Sequence, residues 1–393
     1  MSAGQPRLLI VTTPAGYFFS HRVELARRLI SRGWEVHAAL PAKQAPSFEG
    51  IALHRLDLPR GLASPLADLG ALRRLAALIR EVRPDLVHCF SPKAVVVGAL
   101  AARLTGTPVA LSVGGYFFDP EQPSPLDRML CALIRAAPRA LGKVDHLLLA
   151  GNEEESEAYW GGRPAARRRI VPGAGVDLER FRPTPRERAV PRIAFVGRLV
   201  RHKGFDLFAK AARRMREAGV AAEFVAAGRS AEGSRTALPK AELRALVEEG
   251  GIALETDVAD VAGFLARADM VCLPSRGEGF SRALAEAAAS GLPIVTADAP
   301  GCRSAVREGE SGFLVPPGDL DALVAKLSLL ARDAELRRAM GEASRRFAEA
   351  GLGEEAVSLR YERAYRELLA GAPAAAAVAP AGDPRPCNAA RLD

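Results

Sequence analysis

The chain contains 393 residues, of which 49% are hydrophobic and 25% are charged, a composition typical of folded globular proteins. This balance excludes a wholly disordered chain, and the length suits two or three domains. Five cysteines without a C-x-x-C pair exclude a disulfide framework and a zinc knuckle. Residues 1–185 hold 24 Lys and Arg against 17 Asp and Glu, so most of the net charge of +8 lies there. We expect an anionic partner for this half, a membrane surface rather than nucleic acid, because no nucleic-acid motif is present.

The sequence predicts no membrane-spanning helix. Such a helix needs about 20 consecutive apolar residues, and the nearest candidate, Ala94–Leu104, is about half as long and contains Arg103. Leu8–Val11 follows a single Arg7 without a cleavage pattern, which predicts a first strand rather than a signal peptide. We therefore expect a cytoplasmic protein whose contact with the membrane face is at most peripheral.

Short apolar runs alternate with helical patterns along the chain, which is typical of parallel sheets with crossover helices. In the first half the predicted strands are Leu8–Thr12, Glu35–Leu40, Leu86–Phe90, Val109–Val113 and Val144–Ala150. The helices predicted between them are Ser20–Arg32, Asp68–Val82, Ala94–Leu104 and Pro125–Ala136. In the second half the predicted strands, again separated by helices, are Arg192–Val196, Glu223–Ala227, Met270–Pro274, Ile294–Ala297 and Gly312–Val315.

This order predicts an α/β protein with two Rossmann-like, doubly wound domains whose parallel sheets face a central cleft. We place the domains at residues 1–185 and 186–352, and the Pro-, Gly- and Arg-rich segment Val171–Arg192 reads as the linker. A last helix within 353–370 is expected to pack back toward the first domain, and the Ala- and Pro-rich tail 371–393 to be disordered. Ligands bind at the carboxyl edge of such sheets, so we expect the site in the cleft.

The segment Pro274–Ser281 follows a buried strand and contains a Gly-Glu-Gly turn. Ser281 is placed to cap the next helix, whose free N–H groups and dipole favour an anion. Glu278 in the turn and Glu286 in the helix would repel a phosphate, but they suit the neutral hydroxyls of a sugar and a ribose. Alternatively, both glutamates are merely solvated.

A second cluster lies where the first strand of the second half gives way to a helix. Arg198 and Lys203 can lean over the cleft there, and Gly197 permits close approach of a ligand. Two cations beside a helix N-terminus would hold a pyrophosphate and stabilise its charge as it leaves. The alternative is a solvated basic loop.

Four ordered motifs resemble those of family 4 glycosyltransferases. They are G-R-L-x-x-x-K-G from Gly197, P-S-x-x-E-G-F-S-x-x-L-x-E-A from Pro274, G-L-P-I-V from Gly291 with P-G-C-R after it, and G-E-S-G-F-L-V-P from Gly309. The resemblance covers residues 8–369 and implies the GT-B fold, with retaining transfer of a sugar from a nucleotide sugar. The first loop and the stretch Asp85–Lys93 resemble bacterial members that build cell-surface polysaccharides and lipid-linked oligosaccharides.

The resemblance implies an acceptor-binding first domain and a donor-binding second domain. It assigns the diphosphate to two cations and a backbone cradle, and the ribose to a carboxylate: Arg198, Lys203, Gly197, Gly279, Phe280, Ser281 and Glu286. Glu278 is implied to contact the transferred sugar, which makes it catalytic together with Arg198 and Lys203. The implied donor is a uridine rather than a guanosine diphosphate sugar. The leaving phosphate would itself accept the proton of the acceptor hydroxyl on the same face.

The first strand-to-helix turn supplies the candidate residues of the N-terminal half. Gly16 would let donor or acceptor approach the backbone, and His21 either contacts the reacting sugars or faces water. His88 lies within a predicted strand and is interpreted as structural. Many relatives carry a His near Val113–Gly115, but this chain has none there, so the catalytic detail at that point is left open.

The stretch Tyr116–Lys143 mixes large apolar residues with Arg128, Arg135, Arg139 and Lys143, which suits an anionic membrane surface. A helix packed on its own domain is the alternative. Neither a metal nor another cofactor is expected, because Asp319 of the only formal D-x-D reads as a helix N-cap.

We therefore expect a glycosyltransferase that moves a sugar to a hydroxyl of a glycan acceptor, such as an undecaprenyl-diphosphate-linked sugar. One alternative is an epimerase or hydrolase of nucleotide sugars with the same architecture. It would need acid–base residues, for which only His21 and His88 offer themselves. The other alternative is a non-catalytic sugar-nucleotide-binding module.

Overall fold

The computed structural model describes residues 5–41, 50–58, 65–115, 124–185, 188–230 and 237–371. Three predicted features lie outside these residues: the aromatic run Tyr116–Phe118, Cys387 and the tail from residue 372 onward. Within them, the prediction of two doubly wound parallel sheets is confirmed.

The first sheet is formed by residues 7–170. Its strands are β1 (Arg7–Thr12), β2 (Glu35–Leu40), β3 (Ile51–Arg55), β4 (Leu86–Phe90), β5 (Val109–Ser112), β6 (His146–Ala150) and β7 (Arg168–Ile170). All are parallel, in the order β3-β2-β1-β4-β5-β6-β7. One face is covered by α1 (Ala15–His21) and α2 (Val23–Ser31), and the other by α3 (Pro65–Val82), α4 (Pro92–Thr105), α5 (Pro125–Ala140) and α6 (Glu153–Trp160).

The second sheet repeats this plan. Its strands are β8 (Arg192–Val196), β9 (Glu223–Ala227), β10 (Ile252–Glu255), β11 (Met270–Leu273), β12 (Ile294–Ala297) and β13 (Gly312–Val315), in the parallel order β10-β9-β8-β11-β12-β13. Its helices are α7 (Phe205–Glu217), α8 (Lys240–Gly250), α9 (Val261–Ala266), α10 (Arg282–Ala289), α11 (Leu320–Arg332) and α12 (Ala334–Gly351). A final helix, α13 (Glu354–Leu369), follows them.

The sequence prediction missed three strands, and all three lie at the edge of a sheet. Strands β3 and β7 border the first sheet and β10 borders the second. Edge strands are covered on fewer sides, and only the first residue of β3 is buried while none of β7 is. They therefore lack the continuous apolar run by which central parallel strands are found.

The helix predicted over Ser20–Arg32 is in fact two helices, so that prediction was wrong. The break is at Arg22, whose φ of −126° and ψ of −15° lie outside the helical range. The guanidinium of Arg22 is buried, stacks 4.0 Å from the ring centre of Phe90, and donates to the hydroxyls of Tyr17 and Tyr361. The break thus accompanies the entry of a long polar side chain into the core.

Helix α13 lies against α2 of the first sheet although it follows the second sheet in sequence. Arg28 pairs with Glu354 and Glu355 at 3.2 and 2.7 Å, and Arg32 pairs with Glu362 at 3.2 Å. Beneath these ion pairs, aromatic residues of α13 enter one core with β1, β2 and β4. The chain therefore crosses between the two sheets twice.

His88 is structural, as predicted. It is fully buried in β4, with Nδ1 at 2.6 Å from the Tyr365 hydroxyl and Nε2 at 2.9 Å from the Ser112 hydroxyl. Burial lowers the pKa of this imidazole well below its ordinary value, so it is neutral. Its two hydrogen bonds tie β4 to α13 and to β5.

Replacing Tyr365 by Phe tests this tie. The variant leaves the Nδ1 atom of His88 buried without a partner, so we expect the free energy of unfolding in urea to fall by about 1–3 kcal/mol. Ser112→Ala removes the partner of the other ring nitrogen and should give a similar loss. Unchanged stability in both variants would contradict a structural role for His88.

Candidate active site

The candidate residues lie where the strand order of each sheet reverses. In the second sheet this switch lies between β8 and β11, and in the first between β1 and β4. Arg198 and Lys203 follow β8, Glu278 follows β11, and Gly16 and His21 follow β1. Loops at such switch points form the ligand crevice of open α/β sheets.

Lys203 and Glu278 form an ion pair between the ammonium and Oε1 of the carboxylate. The Ser275 hydroxyl donates to the same carboxylate oxygen at 2.9 Å. The side chains of Lys203 and Glu278 are only 19% and 12% exposed, so the pair is shielded from bulk water. The cation predicted for the phosphate and the carboxylate predicted for the sugar therefore neutralise each other.

Arg198 is exposed and forms no ion pair with another residue that the structure describes. It follows Gly197, which was predicted to admit a ligand. The tight approach at Gly197 involves its carbonyl oxygen, which lies 1.9 Å from where a Cβ of Gly228 would be. Gly228 thus lets the ends of β8 and β9 meet, and Arg198 is left free above them.

The turn before α10 offers backbone N–H groups to the cleft. The N–H groups of Gly279 and Phe280 donate to no other described residue, and that of Ser281 faces the Gly301 carbonyl at 3.4 Å. Ser281 occupies the N-cap position of α10, but its buried hydroxyl makes no capping hydrogen bond, contrary to the prediction. The ring of Phe280 packs on Gly173 of the segment that joins the domains.

Glu286 lies in α10 and is bound by Arg282, whose Nε is 2.7 Å from its carboxylate. Burial raises the pKa of the Glu286 carboxyl, which Arg282 partly opposes. Arg282 also donates to the carbonyl of Ser20 in α1, across the cleft. Arg282 was not among the predicted site residues. It directly follows Ser281, the predicted N-cap, and this position at the start of α10 could have indicated it.

His21 ends α1 and stacks on Tyr17 with ring centres 4.7 Å apart. Its Nδ1 lies 2.6 Å from the Ser20 hydroxyl. Burial, with smaller contributions from Arg22 and Arg282, lowers the pKa of His21 to about 4, so the imidazole is neutral at neutral pH. Gly16, one turn earlier, is exposed, and a Cβ there would meet no atom within 4 Å.

The sequence analysis missed Asn152 and Glu155 at the start of α6. Both are buried, and Asn152 contacts the backbone of Glu278 and Gly279 from the first domain. The available signal was the position of Asn152, a polar residue two places after a buried strand at the carboxyl edge.

In the part of the chain that the structure describes, no three His, Cys, Asp or Glu side chains are arranged to hold a metal ion. Asp319 of the D-x-D sequence is the N-cap of α11, as predicted, because its side chain accepts from the Ala322 N–H at 2.9 Å. None of the helices within these ranges combines the length and the apolar composition needed to cross a bilayer.

Two Rossmann-like parallel sheets, with cations and carboxylates at their carboxyl edges, are the architecture of the GT-B glycosyltransferases. The family model described as glycosyl transferase 4-like domain matches residues 21–174, and that described as glycosyl transferases group 1 matches residues 190–333. The chain belongs to the family 4 glycosyltransferases, as the sequence motifs predicted.

Individual relatives span nearly the whole chain. A D-inositol 3-phosphate glycosyltransferase of Mycobacterium marinum is 30% identical over 355 residues, which cover 83% of this chain and 72% of the relative. The capsular polysaccharide biosynthesis glycosyltransferase CapM of Staphylococcus aureus is 22% identical, covering 88% and 93%. The structure of HepE from Anabaena in complex with UDP matches with a TM-score of 0.74 and 18% identity, covering 92% of this chain and all of HepE.

The lowered pKa of His21 predicts acid sensitivity. The unfolded chain takes up this proton near pH 6.5 and the folded protein only near pH 4, so the stabilisation is present above pH 6.5 and lost as the pH falls toward 4. When the pH is lowered from about 7.5 to 5, the free energy of unfolding should fall in both proteins. The decrease should be about 2 kcal/mol smaller in His21→Gln than in the unsubstituted protein. Equal losses, measured by urea titration at both pH values, would contradict the burial of His21.

Proposed function

We propose that the protein is a retaining, metal-independent glycosyltransferase that moves a hexose from a UDP-sugar to a hydroxyl of a glycan acceptor in cell-surface polysaccharide synthesis. The observation that carries this proposal is the shielded Lys203–Glu278 ion pair, with the exposed Arg198 in the same segment between β8 and α7 as Lys203. The same edge of the sheet offers the free N–H groups of Gly279 and Phe280. Together they supply cations and donors for a diphosphate and an acceptor for sugar hydroxyls.

Donor binding divides these groups by charge. The diphosphate binds to Lys203, Arg198 and the N–H groups of Gly279 and Phe280, because these groups supply positive charge and hydrogen-bond donors at the carboxyl edge of the second sheet. Glu278, released from Lys203, accepts from a hydroxyl of the transferred sugar, and Glu286 accepts from the ribose. A uridine nucleotide is supported by HepE, which has been solved with UDP and with UDP-glucose.

The reaction needs no carboxylate nucleophile from this chain. Glu286 is paired with Arg282, and Glu278, once Lys203 turns to the phosphate, is assigned to a sugar hydroxyl. His21 is neutral, and its Nδ1 is bound to Ser20. We infer that the leaving phosphate takes the proton of the acceptor hydroxyl on the face it leaves, which retains the anomeric configuration. Lys203 and Arg198 stabilise its growing negative charge, the task a divalent cation performs in other transferases.

A lipid-linked acceptor is supported by the surface beside the cleft. Leu126, Met129 and Leu133 of α5 are 47%, 49% and 38% exposed and lie on one face of the helix. Arg128 and Arg139 are exposed on the same helix. Since crossover helices begin at the carboxyl edge of the sheet, the start of α5 lies near the mouth of the cleft. We propose that this apolar stripe of α5 binds an anionic membrane, with the arginines farther round the helix adding positive charge, where an undecaprenyl-diphosphate-linked sugar would be presented.

Calorimetric titration with UDP, GDP and UMP in the presence of EDTA tests the donor. We expect UDP to bind and GDP to bind at least about tenfold more weakly. UMP lacks the second phosphate, so its binding free energy should be weaker by about 1.5–3 kcal/mol, the contribution of one charge-assisted contact. Preference for GDP would overturn the nucleotide, and binding that needs a divalent metal would overturn metal independence. The anomeric configuration of the product, read by NMR, decides whether transfer is retaining.

Substitutions at the ion pair separate its two roles. Lys203→Ala and Arg198→Ala should each lower kcat/KM at least about tenfold, because each removes one charge-assisted phosphate contact. Glu278→Gln should lower kcat but bind UDP at least as tightly, because Lys203 is then no longer shared with a carboxylate. Weaker binding of UDP by Glu278→Gln, or unchanged turnover in both cation variants, would contradict the assignment.

Vesicle sedimentation tests the membrane face. The double variant Leu126→Glu, Met129→Glu should bind phosphatidylglycerol vesicles at least about tenfold more weakly, since it removes apolar area and adds negative charge. Leu329→Glu makes the same change at a residue of the second domain that is 43% exposed, and it should bind as the unsubstituted protein does. Equal binding by all three proteins, or no binding to anionic vesicles, would refute the proposed face.

A further inference from the structure

Asn152 connects the first domain directly to the loop that carries Glu278. It lies two residues after β6 and is 4% exposed. Its Nδ2 donates to the Gly279 carbonyl at 2.6 Å and to the Glu278 carbonyl at 3.2 Å. These are hydrogen bonds from one domain to the backbone of the other, at the residues to which the proposed function assigns the donor.

The orientation of this carboxamide is fixed from both ends. While Nδ2 faces the two carbonyls, Oδ1 accepts from the N–H of Glu155 at 2.7 Å and so caps α6. A group at this position must therefore donate on one side and accept on the other, as an amide does and a carboxylate or a hydrocarbon does not. The cap and the contact across the cleft are separable chemically, because only the second needs an N–H donor.

Three glycines let the domains come close enough for this contact. A Cβ on Gly279 would lie 2.4 Å from the Cα of Gly115, and a Cβ on Gly151 would lie 2.5 Å from the Gly279 carbonyl oxygen. Glu155 supports the contact from below, because its carboxylate accepts from the N–H groups of Gly115 and Gly151, both at 2.7 Å. The first domain therefore meets the donor loop with the backbone of Gly115 and Gly151, which the buried carboxylate of Glu155 holds in place.

The direction of the contact matters for the donor. In a trans peptide the C=O and the N–H point to opposite sides. The carbonyls of Glu278 and Gly279 belong to the peptides whose N–H groups are those of Gly279 and Phe280. Because Asn152 holds both carbonyls, both N–H groups point away from the Asn152 carboxamide, and its hydrogen bonds polarise them as donors.

We propose that Asn152 is a positioning residue for sugar transfer, which fixes the 278–279 backbone when the two domains are in contact. This inference rests on the proposed function, in which that backbone and Glu278 serve the donor. Other contacts flank it: Glu154 pairs with Arg303 of the second domain, and Arg282 reaches Ser20. Asn152 differs from them because its target is the donor loop itself.

The central test compares Asn152→Ser with Asp319→Ser, which exchanges an exposed helix cap after β13, the outermost strand of the second sheet. Serine still caps α6, but its shorter side chain lacks the Nδ2 group that reaches both carbonyls. For UDP release from UDP-glucose, we expect kcat of Asn152→Ser to fall at least about tenfold while the Kd for UDP changes less than about threefold. A kcat within about twofold of the unsubstituted protein would overturn the proposal, as would an equal loss in Asp319→Ser.

Asn152→Asp provides a readout that a purely structural role would not change. The ionised carboxylate repels the two carbonyls, whereas the protonated acid can donate to them. Relative to the unsubstituted protein, kcat of this variant should therefore rise as the pH is lowered from about 8 to about 6, because burial raises a carboxyl pKa. A constant ratio across this range would count against positioning by donation.

Hydrogen exchange without nucleotide keeps the test independent of the donor. The peptide spanning 275–283 should exchange faster in Asn152→Ser than in Asp319→Ser, since the domain contact no longer holds it. If UDP neither binds nor is released by the unsubstituted protein, the proposed function fails, but faster exchange would still support the contact. Equal exchange in the two variants would overturn the positioning role even if UDP binds.

Discussion

The contact of bare backbone between the domains, at Gly115, Gly151 and Gly279, is the constraint on which the site depends. No side chain stands between the two loops, so the carboxyl edges of the sheets meet at van der Waals distance. The buried carboxylate of Glu155 accepts hydrogen bonds from the N–H groups of Gly115 and Gly151. Burial raises the pKa of this carboxyl, and these hydrogen bonds oppose the shift. A residue larger than glycine at these positions would separate the domains and remove Asn152 from the donor loop.

The charges of the site are compensated in pairs. Lys203 pairs with Glu278, and Arg282 pairs with Glu286, so neither shielded carboxylate lacks a cation. In the proposed function, a diphosphate competes with Glu278 for Lys203, and a carboxylate released in this way is available to the sugar. The ion pair would thus couple phosphate binding to sugar recognition.

Much of the fold and of the donor motifs could be predicted from the sequence, because central parallel strands are continuous apolar runs and because Arg198, Lys203 and Glu278 lie in short motifs of fixed spacing. The edge strands β3, β7 and β10 escaped prediction because they are partly exposed, whereas the buried edge strand β13 was predicted. Contacts between distant segments were also beyond local patterns. The hydrogen bond from Asn152 spans 127 residues to Gly279, and nothing near either residue signals the other. Likewise, the Ser281 hydroxyl makes no capping hydrogen bond, because its orientation is set by tertiary packing and the local sequence pattern does not show that packing.

The measurement that tests the account most directly is a crystal structure of the protein with UDP bound. The account predicts a phosphate oxygen within hydrogen-bonding distance of the Lys203 ammonium and of a free amide of the 279–280 turn, the ribose on Glu286, and Glu278 released from Lys203. It also predicts that Asn152 still holds the Gly279 carbonyl. UDP bound elsewhere, with the Lys203–Glu278 pair intact, would contradict the assignment of the donor site.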